Sequence, residues 1–425
     1  MRWNSLYSIK SYIKSTLWFV PFVALLLYVL VARAVDIFQS IFVDMPLWPW
    51  GMSGARTVLE TIVTLTLTFI VFTFGSLLVA IQVASGQLTP RIIATALLRD
   101  KVIRLTVGFF IFTLLFSVGL LGRLESTAPF FLVGIAGVLG FCCVTAFLYL
   151  IDHAARLLRP ISIARRIGDM GIHVIETVYP DVVRDGDVRP ASHRMLEAPT
   201  RTILHRGTSG IVLAVNLKAL IREAKRSDVV IELTQRVGNF VGSGEPIVRV
   251  YGEAATIDED RILQNVAFGP ERTIEQDATF ALRIIVDIAI KALSKAINDP
   301  TTAVVAIDQL HRLLREVGGR RLHHDAAVDG SGQLRLIYQT PDWDDFVQLA
   351  VREIRYYGAE NFQVARRLRA MIESLMRTLP KERHPALGGE LDLLDRAARS
   401  VYVLPEDLAL ASVPDPQGLG AGPGT

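Results

Sequence analysis

The chain has 425 residues, 51% of them hydrophobic and 20% charged, with a mean hydropathy of +0.38 and a net charge of +3. Soluble chains carry about 25% charged residues, and here the deficit is local: residues 1–151 hold ten Lys/Arg and five Asp/Glu, while the rest has the charge density of an ordinary soluble domain. This excludes an all-soluble protein and a basic nucleic-acid-binding domain. With Cys142 and Cys143 as the only cysteines, it also excludes a disulfide framework and a cysteine-based zinc site.

Four charge-free stretches are long enough to cross a bilayer: Ser15–Ala32, Thr61–Pro90, Leu105–Gly122 and Ser126–Ile151. Without water to satisfy the backbone, such runs must be helices. Trp3, Trp18, Trp48 and Trp50 lie near span ends, where amphipathic rings prefer the headgroup region. Lys and Arg concentrate in the N-terminal arm, in the second loop (Arg91, Arg99, Lys101, Arg104) and after the fourth span (Arg156, Arg159, Arg165, Arg166). The positive-inside rule then puts both termini in the cytoplasm of a bacterial cell, with the protein multi-pass in its inner membrane. Ala32-Arg33-Ala34 also fits a signal-peptide cleavage rule, and cleavage there would leave the other spans' orientation unchanged.

The second span carries a polar stripe. Thr64, Thr68, Gly75, Gln82, Gly86 and Thr89 fall within about 60° of one another at 100° per residue. Thr66 and Thr73 fall on the opposite face. Small and hydroxyl residues let helices approach closely, which is the packing reading. A hydrated pore or substrate path is the other reading, because lipid does not tolerate such a strip. Ala136-x-x-x-Gly140 is a further packing pattern, and Cys142 and Cys143 read as apolar fillers. His153, where the chain leaves the membrane, either bonds a neighbouring helix or senses pH.

Residues 152–199 form a stalk and linker, with an amphipathic helix over 154–178 that Pro160 kinks or starts. Residues 200–255 read as a small β domain. Its strands are Thr202–Leu204, Gly210–Val215, Val229–Leu233 and Ile247–Val250, with a helix at Leu217–Arg226. The phrase Arg236-Val237-Gly238-Asn239-Phe240-Val241-Gly242-Ser243-Gly244-Glu245-Pro246 resembles the turn of barrel-sandwich hybrid domains. Carrier domains of that architecture present a modifiable lysine on a hairpin. Lys218 and Lys225 sit in a helix, so an interaction barrel fits better. Residues 256–408 are mainly helical, with helices at Asp342–Tyr357, Asn361–Thr378 and Glu390–Ser400 and a strand at Gln333–Gln339. Residues 409–425 form a tail in which 412–425, rich in Pro and Gly, should be disordered. The fold class is therefore an α-helical membrane domain of four transmembrane helices plus a cytoplasmic α+β region.

The sharpest motif is Ala292-Leu293-Ser294-Lys295-Ala296-Ile297-Asn298-Asp299-Pro300-Thr301-Thr302-Ala303. With Ala80-Ile81-Gln82-Val83-Ala84-Ser85-Gly86-Gln87-Leu88-Thr89-Pro90-Arg91, it resembles a bacterial membrane-protein family known only as domain-of-unknown-function family 2254. The resemblance runs over roughly residues 10 to 400, and Lys295 stands where the family usually has Pro. It implies membrane location and this domain order, and no activity. Physically, Asp299 suits a helix N-cap and Pro300 the first helical position. On the preceding helix Gln276, Phe280, Arg283, Asp287 and Lys291 share a face, and Arg283 and Asp287 can pair. Gln276, Asp277, Arg283, Asp287, Asn298 and Asp299 form either a structural network or a ligand site.

His323-His324-Asp325 gives adjacent histidines that point to opposite faces of a strand, so no metal site is expected. There is no G-x-S-x-G, Walker loop, H-E-x-x-H or G-x-G-x-x-G, hence no expected enzyme activity and no cofactor. The sequence supports an oligomeric channel-like protein with a cytoplasmic regulatory or sensor domain for an unidentified small ligand or ion. The alternative is a non-conducting scaffold or signalling protein that binds a cytoplasmic partner. A membrane enzyme built on the Gln276/Asp277/Arg283/Asp299 cluster is the third reading.

Overall fold

A computed structural model describes residues 3–4, 6, 22–31, 33, 51–87, 100–124, 130–157, 159–183, 198–253, 257–322 and 326–420. The chain divides into two compact units, Ser11–Ile163 and Met1–Lys10 with Ala164–Thr425.

The first unit contains helices α1 (Phe22–Val31), α2 (Met52–Gln87), α3 (Lys101–Arg123) and α4 (Phe130–Leu157). Within the last three, Met52–Val79, Lys101–Arg123 and Phe131–Arg156 are long and apolar enough to cross a membrane. Three candidate spans therefore stand where four were expected. The described part of the first run, α1, reaches about 15 Å, half the hydrocarbon thickness; residues 15–21 lie outside the described residues. α2 starts well before Thr61 because Arg56 and Glu60 pair one turn apart, Nε to Oε1 at 2.9 Å, and carry the helix through its polar end.

The bundle core is Ala55, Leu59, Ile62, Phe116, Leu120, Val133 and Ala136. A Cβ on Gly140 would lie 2.9 Å from Ile62 Cγ1, so the small residue sets the approach of α4 to α2. Phe69 stacks on Phe147 with ring centroids 4.3 Å apart. Cys143 is buried against Thr113, while Cys142 is exposed. Asp100 caps α3 by accepting from Val102 N at 2.8 Å and Ile103 N at 3.2 Å, and His153 Nε2 lies 3.1 Å from the same oxygen. His153 thus ties α4 to the start of a neighbouring helix.

Helix α5 (Pro160–Val178) starts at Pro160, where the missing N–H costs nothing. In the second unit Gly171 admits Leu313 and Ala281, which an added Cβ would meet at 2.8 and 2.9 Å. The strands are β1 (Arg201–Leu204), β2 (Gly210–Val215), β3 (Val230–Leu233), β4 (Phe240–Val241), β5 (Pro246–Tyr251), β6 (Val266–Gly269), β7 (Ala326–Val328) and β8 (Leu334–Ile337). Helix α6 (Leu217–Arg226) lies between β2 and β3, and α7 (Glu259–Leu263) precedes β6. One sheet has the order β1-β5-β3-β8-β7 and the other β4-β2-β6. Among the described strands only β3 and β8 pair in parallel, Ile231 opposite Leu336. The two sheets share a core of Val212, Leu220, Ile231, Val248, Ile262 and Leu336. Strands from both sides of residue 255 build it, so the β region is wider than 200–255. The distant β8 is drawn in because its buried Leu336 completes the face that α6 covers.

The helical part runs α8 (Ala278–Ala292), α9 (Pro300–Gly318), α10 (Trp343–Gly358), α11 (Phe362–Thr378), α12 (His384–Val401) and α13 (Pro405–Ala411). α8 is buried on nearly all sides, from Phe280 through Ile285 to Ala292, and α9 and α10 pack against it. The expected disorder from 412 onward gives way to order as far as residue 420. Asp415 accepts from Gln417 N, Gly418 N and Gly420 N, and Arg366 Nε donates to Val413 O. Pro- and Gly-rich composition here encodes a tight turn on the helices. Residues 421–425 lie outside the described residues.

Candidate functional site

Because β3 and β8 are parallel, both chains leave the sheet at the same edge. The segments that follow, Gln235–Val237 and Tyr338–Pro341, line a cavity of ≈360 Å³. Three helix ends close it: the N-terminus of α6 at Asn216–Lys218, the N-terminus of α8 at Gln276–Ala278, and the C-terminus of α5 at Thr177–Tyr179. Trp3 forms a further wall, packed on Leu213, Ala214 and Ala267.

Each α-helical start has a sequence cause. Asn216 Oδ1 caps α6 by accepting from Ala219 N at 3.2 Å. Asp277 Oδ1 caps α8 by accepting from Phe280 N at 3.0 Å. Gln276 Oε1 accepts from Val215 N at 3.0 Å and so fastens the start of α8 to the end of β2. Asp277 is only 5% exposed, and its Oδ2 has no hydrogen-bond partner. The nearest cation to that oxygen is Arg272, whose Nε lies 3.7 Å away. Burial pushes the Asp277 carboxyl above its usual range, more than the Thr279 hydroxyl and Arg272 pull it down. Gly238 roofs the acid with φ +93; a Cβ there would lie 2.5 Å from Asp277 Oδ2. Arg236 is fixed by Gln339 at 3.3 Å and Asp345 at 3.2 Å.

The six residues of the expected polar cluster fall in three places. Gln276 and Asp277 line the cavity. Arg283 and Asp287 lie farther along α8, where Arg283 donates Nε to Asp287 Oδ1 at 2.8 Å and Nη2 to Glu353 Oε2 at 3.0 Å. That guanidinium holds the Glu353 carboxyl below its ordinary range. Asn298 and Asp299 form the joint beyond the far end of α8, about 22 Å from its start. Asn298 takes φ +48, and Asp299 Oδ1 accepts from Thr302 N at 3.0 Å. Sequence reading missed Lys218, Arg236 and Trp3 as cavity residues. The available signal was the order strand, Asn cap, helix around Val215-Asn216-Leu217, which places Lys218 on a first helical turn.

In the membrane unit Thr64, Thr68, Gly75 and Gln82 are exposed, whereas Thr66, Phe69, Thr73 and Leu77 are buried. The stripe therefore faces away from its own bundle. Thr64 Oγ1 donates to Glu60 O at 2.9 Å and Thr68 Oγ1 to Thr64 O at 2.7 Å. Thr89, His323, His324 and Asp325 lie outside the described residues, and Gly86 is described only as part of the α2 backbone. Among the described residues no three His, Cys, Asp or Glu side chains gather to hold a metal.

The family model described as predicted membrane protein (DUF2254) matches residues 14–374. The chain belongs to this family. Uncharacterized proteins of Mycobacterium bovis and Mycobacterium tuberculosis are each 24% identical over 420 residues, covering 95% of this chain and 80% of their own length. No solved structure matches it. In this DUF2254 protein the family match takes in the three candidate spans, the stripe, Lys218, Arg236, Gln276 and Asp277. Trp3 and the Asp415 turn lie beyond it.

Proposed function

We propose that this DUF2254 protein is an oligomeric, channel-like protein of the bacterial inner membrane, with a cytoplasmic regulatory or sensor domain. The observation that carries the reading is the outward stripe on α2. Polar groups on a lipid-facing surface are disfavoured, and a ring of subunits would turn Thr64, Thr68, Gly75 and Gln82 toward a shared axis. Four crossings complete the topology. Trp3 packs on the second unit, and Asn4 N donates to Gln264 O at 3.3 Å. The chain leaves that unit after Lys10 and re-enters it at Ala164. An even number of crossings must separate those points, so three long helices call for a fourth, through the run that contains α1. The Lys/Arg distribution assigns this shared side to the cytoplasm.

The scaffold reading draws on the threonine hydroxyls, which their own helix already satisfies, so they do not require water. Cysteine scanning separates the two. In a Cys142→Ala, Cys143→Ala background, Thr68→Cys and Gly75→Cys should react with a membrane-impermeant thiol reagent, and Phe69→Cys and Leu77→Cys should not. Silence at 68 and 75 in the assembled protein would overturn the channel and leave the scaffold.

A further inference from the structure

We propose that the groove between α1 and α3 binds one anionic phospholipid, with an acyl chain along its apolar walls and the headgroup phosphate at Lys101 and Arg104. The inference goes beyond the channel reading and needs only that α3 crosses the bilayer.

The two helices touch at one level and leave a groove at another. Gly119 of α3 admits the Tyr28 hydroxyl of α1, which an added Cβ would strike, and Tyr28 and Val31 pack on the bundle core. Nearer the start of α3 the pair lines a groove of ≈520 Å³. Lys101, Arg104, Leu105, Gly108, Phe109 and Phe112 supply the α3 wall, and their i, i+3/i+4 spacing puts them on one helix face. Val23, Ala24 and Leu27 supply the α1 wall. From Lys101 to Phe112 the face runs about 17 Å, close to the depth of one leaflet's hydrocarbon, which is half of roughly 30 Å. Gly108 brings no side chain into the groove. Leu105 is 73% exposed, and Val23 and Leu27 are exposed as well, so the walls are open to an occupant from outside the bundle.

Charge selects the occupant. Both cations stand at the end of the groove where the apolar span begins, and no acidic side chain lines it among the described residues. The adjacent acid, Asp100, is buried and accepts from Val102 N and Ile103 N, with His153 Nε2 3.1 Å from the same oxygen. Lys101 is exposed. A neutral lipid would fill the apolar walls and leave the cations unused, whereas a free phosphate would meet the cations and leave the walls uncovered. An anionic phospholipid suits both ends at once: Arg104 and Lys101 take phosphate oxygens at the interface, and the chain covers Leu105, Phe109 and Phe112. Basic pockets between transmembrane helices on the cytoplasmic side bind anionic headgroups, and the Lys/Arg distribution assigns this end of α3 to the cytoplasm.

The test uses the full-length protein in detergent, titrated with phosphatidylglycerol, phosphatidylcholine of the same chains and glycerol phosphate, with bound lipid counted by native mass spectrometry. A lysine or arginine near an anionic headgroup is worth about fivefold in affinity. Phosphatidylglycerol should therefore bind about twentyfold more tightly than phosphatidylcholine, and glycerol phosphate should not be retained. Lys101→Gln with Arg104→Gln should bring phosphatidylglycerol down to the phosphatidylcholine level and leave phosphatidylcholine unchanged. Arg156→Gln with Arg159→Gln, which removes two cations outside the groove, should leave the preference intact. Gly108→Leu puts a side chain into the groove and should weaken both lipids. Should the double cation variant not fold, Lys101→Gln alone, a change at an exposed position, should cost phosphatidylglycerol about fivefold. The proposal falls if the two lipids bind alike, if the folded cation variant keeps the wild-type preference, if removing Arg156 and Arg159 abolishes it equally, or if glycerol phosphate binds as tightly as the lipid. It also falls if Gly108→Leu leaves lipid binding as it was; a change in subunit number in that case would assign the groove to a second copy of the chain.

Discussion

At the residue scale, Gly238 is where backbone conformation and side-chain chemistry meet. Its φ of +93 suits glycine, and its missing side chain leaves room for Asp277 Oδ2 and Arg272, whose Nε donates to Gly238 O at 2.9 Å. Gly244 has a similar φ of +85, but nothing lies within 4 Å of an added Cβ. Gly244→Ala should therefore cost only the left-handed penalty, about 1–2 kcal/mol. Gly238→Ala adds a clash to that penalty and should cost about 2–4 kcal/mol. Thermal melting of the two full-length variants checks the order; equal melting temperatures would mean that the Asp277 roof yields freely. The glycine punctuation was readable in the sequence. That one of those glycines shields a buried acid 39 residues away was not, because the contact depends on how β4 and α8 come together.

At the element scale, the joint between α8 and α9 explains the motif Asn298-Asp299-Pro300-Thr301 without a ligand. Asparagine tolerates the left-handed φ, Asp299 caps α9 through Thr302, and Pro300 occupies the first helical position. Asp299→Ala should lose about 0.5–2 kcal/mol. Read as a buried pair, Arg283 and Asp287 would be worth about 3–5 kcal/mol when broken. Their side chains are 27% and 22% exposed, and Glu353 is 44% exposed. Solvent screens such a group, so Arg283→Ala should cost only about 1 kcal/mol or less. Melting curves test the ranking. A larger loss for Arg283→Ala than for Asp299→Ala would mean that something covers this face in the assembled protein. Several helices were legible from caps and periodicity: α6 has the expected bounds, and α10 and α11 each differ by one residue at one end or both, whereas α12 starts six residues before the expected Glu390 and the short α7 and α13 were not expected. The two-residue β4 and the three-residue β7 carry too little alternation to be read locally.

At the scale of the whole molecule, topology follows from charge and parity together. Reporters fused after Leu121 or within Asp36–Met45 should read as periplasmic, and those after Arg91 or at the C-terminus as cytoplasmic. A cytoplasmic signal at Asp44 would break the parity argument and with it the fourth crossing. The sequence by itself determined the division into an apolar N-terminal third and a charged remainder, three of the four expected membrane helices and the family, because hydropathy, helix caps and motif spacing are local properties. Only the tertiary structure decided which face of α2 is buried, which cluster residues meet, and where the cavity lies. Those depend on contacts between residues far apart in the chain. The parallel pairing of Val230–Leu233 with Leu334–Ile337, about a hundred residues away, opens the sheet edge at which Lys218, Arg236 and Asp277 converge.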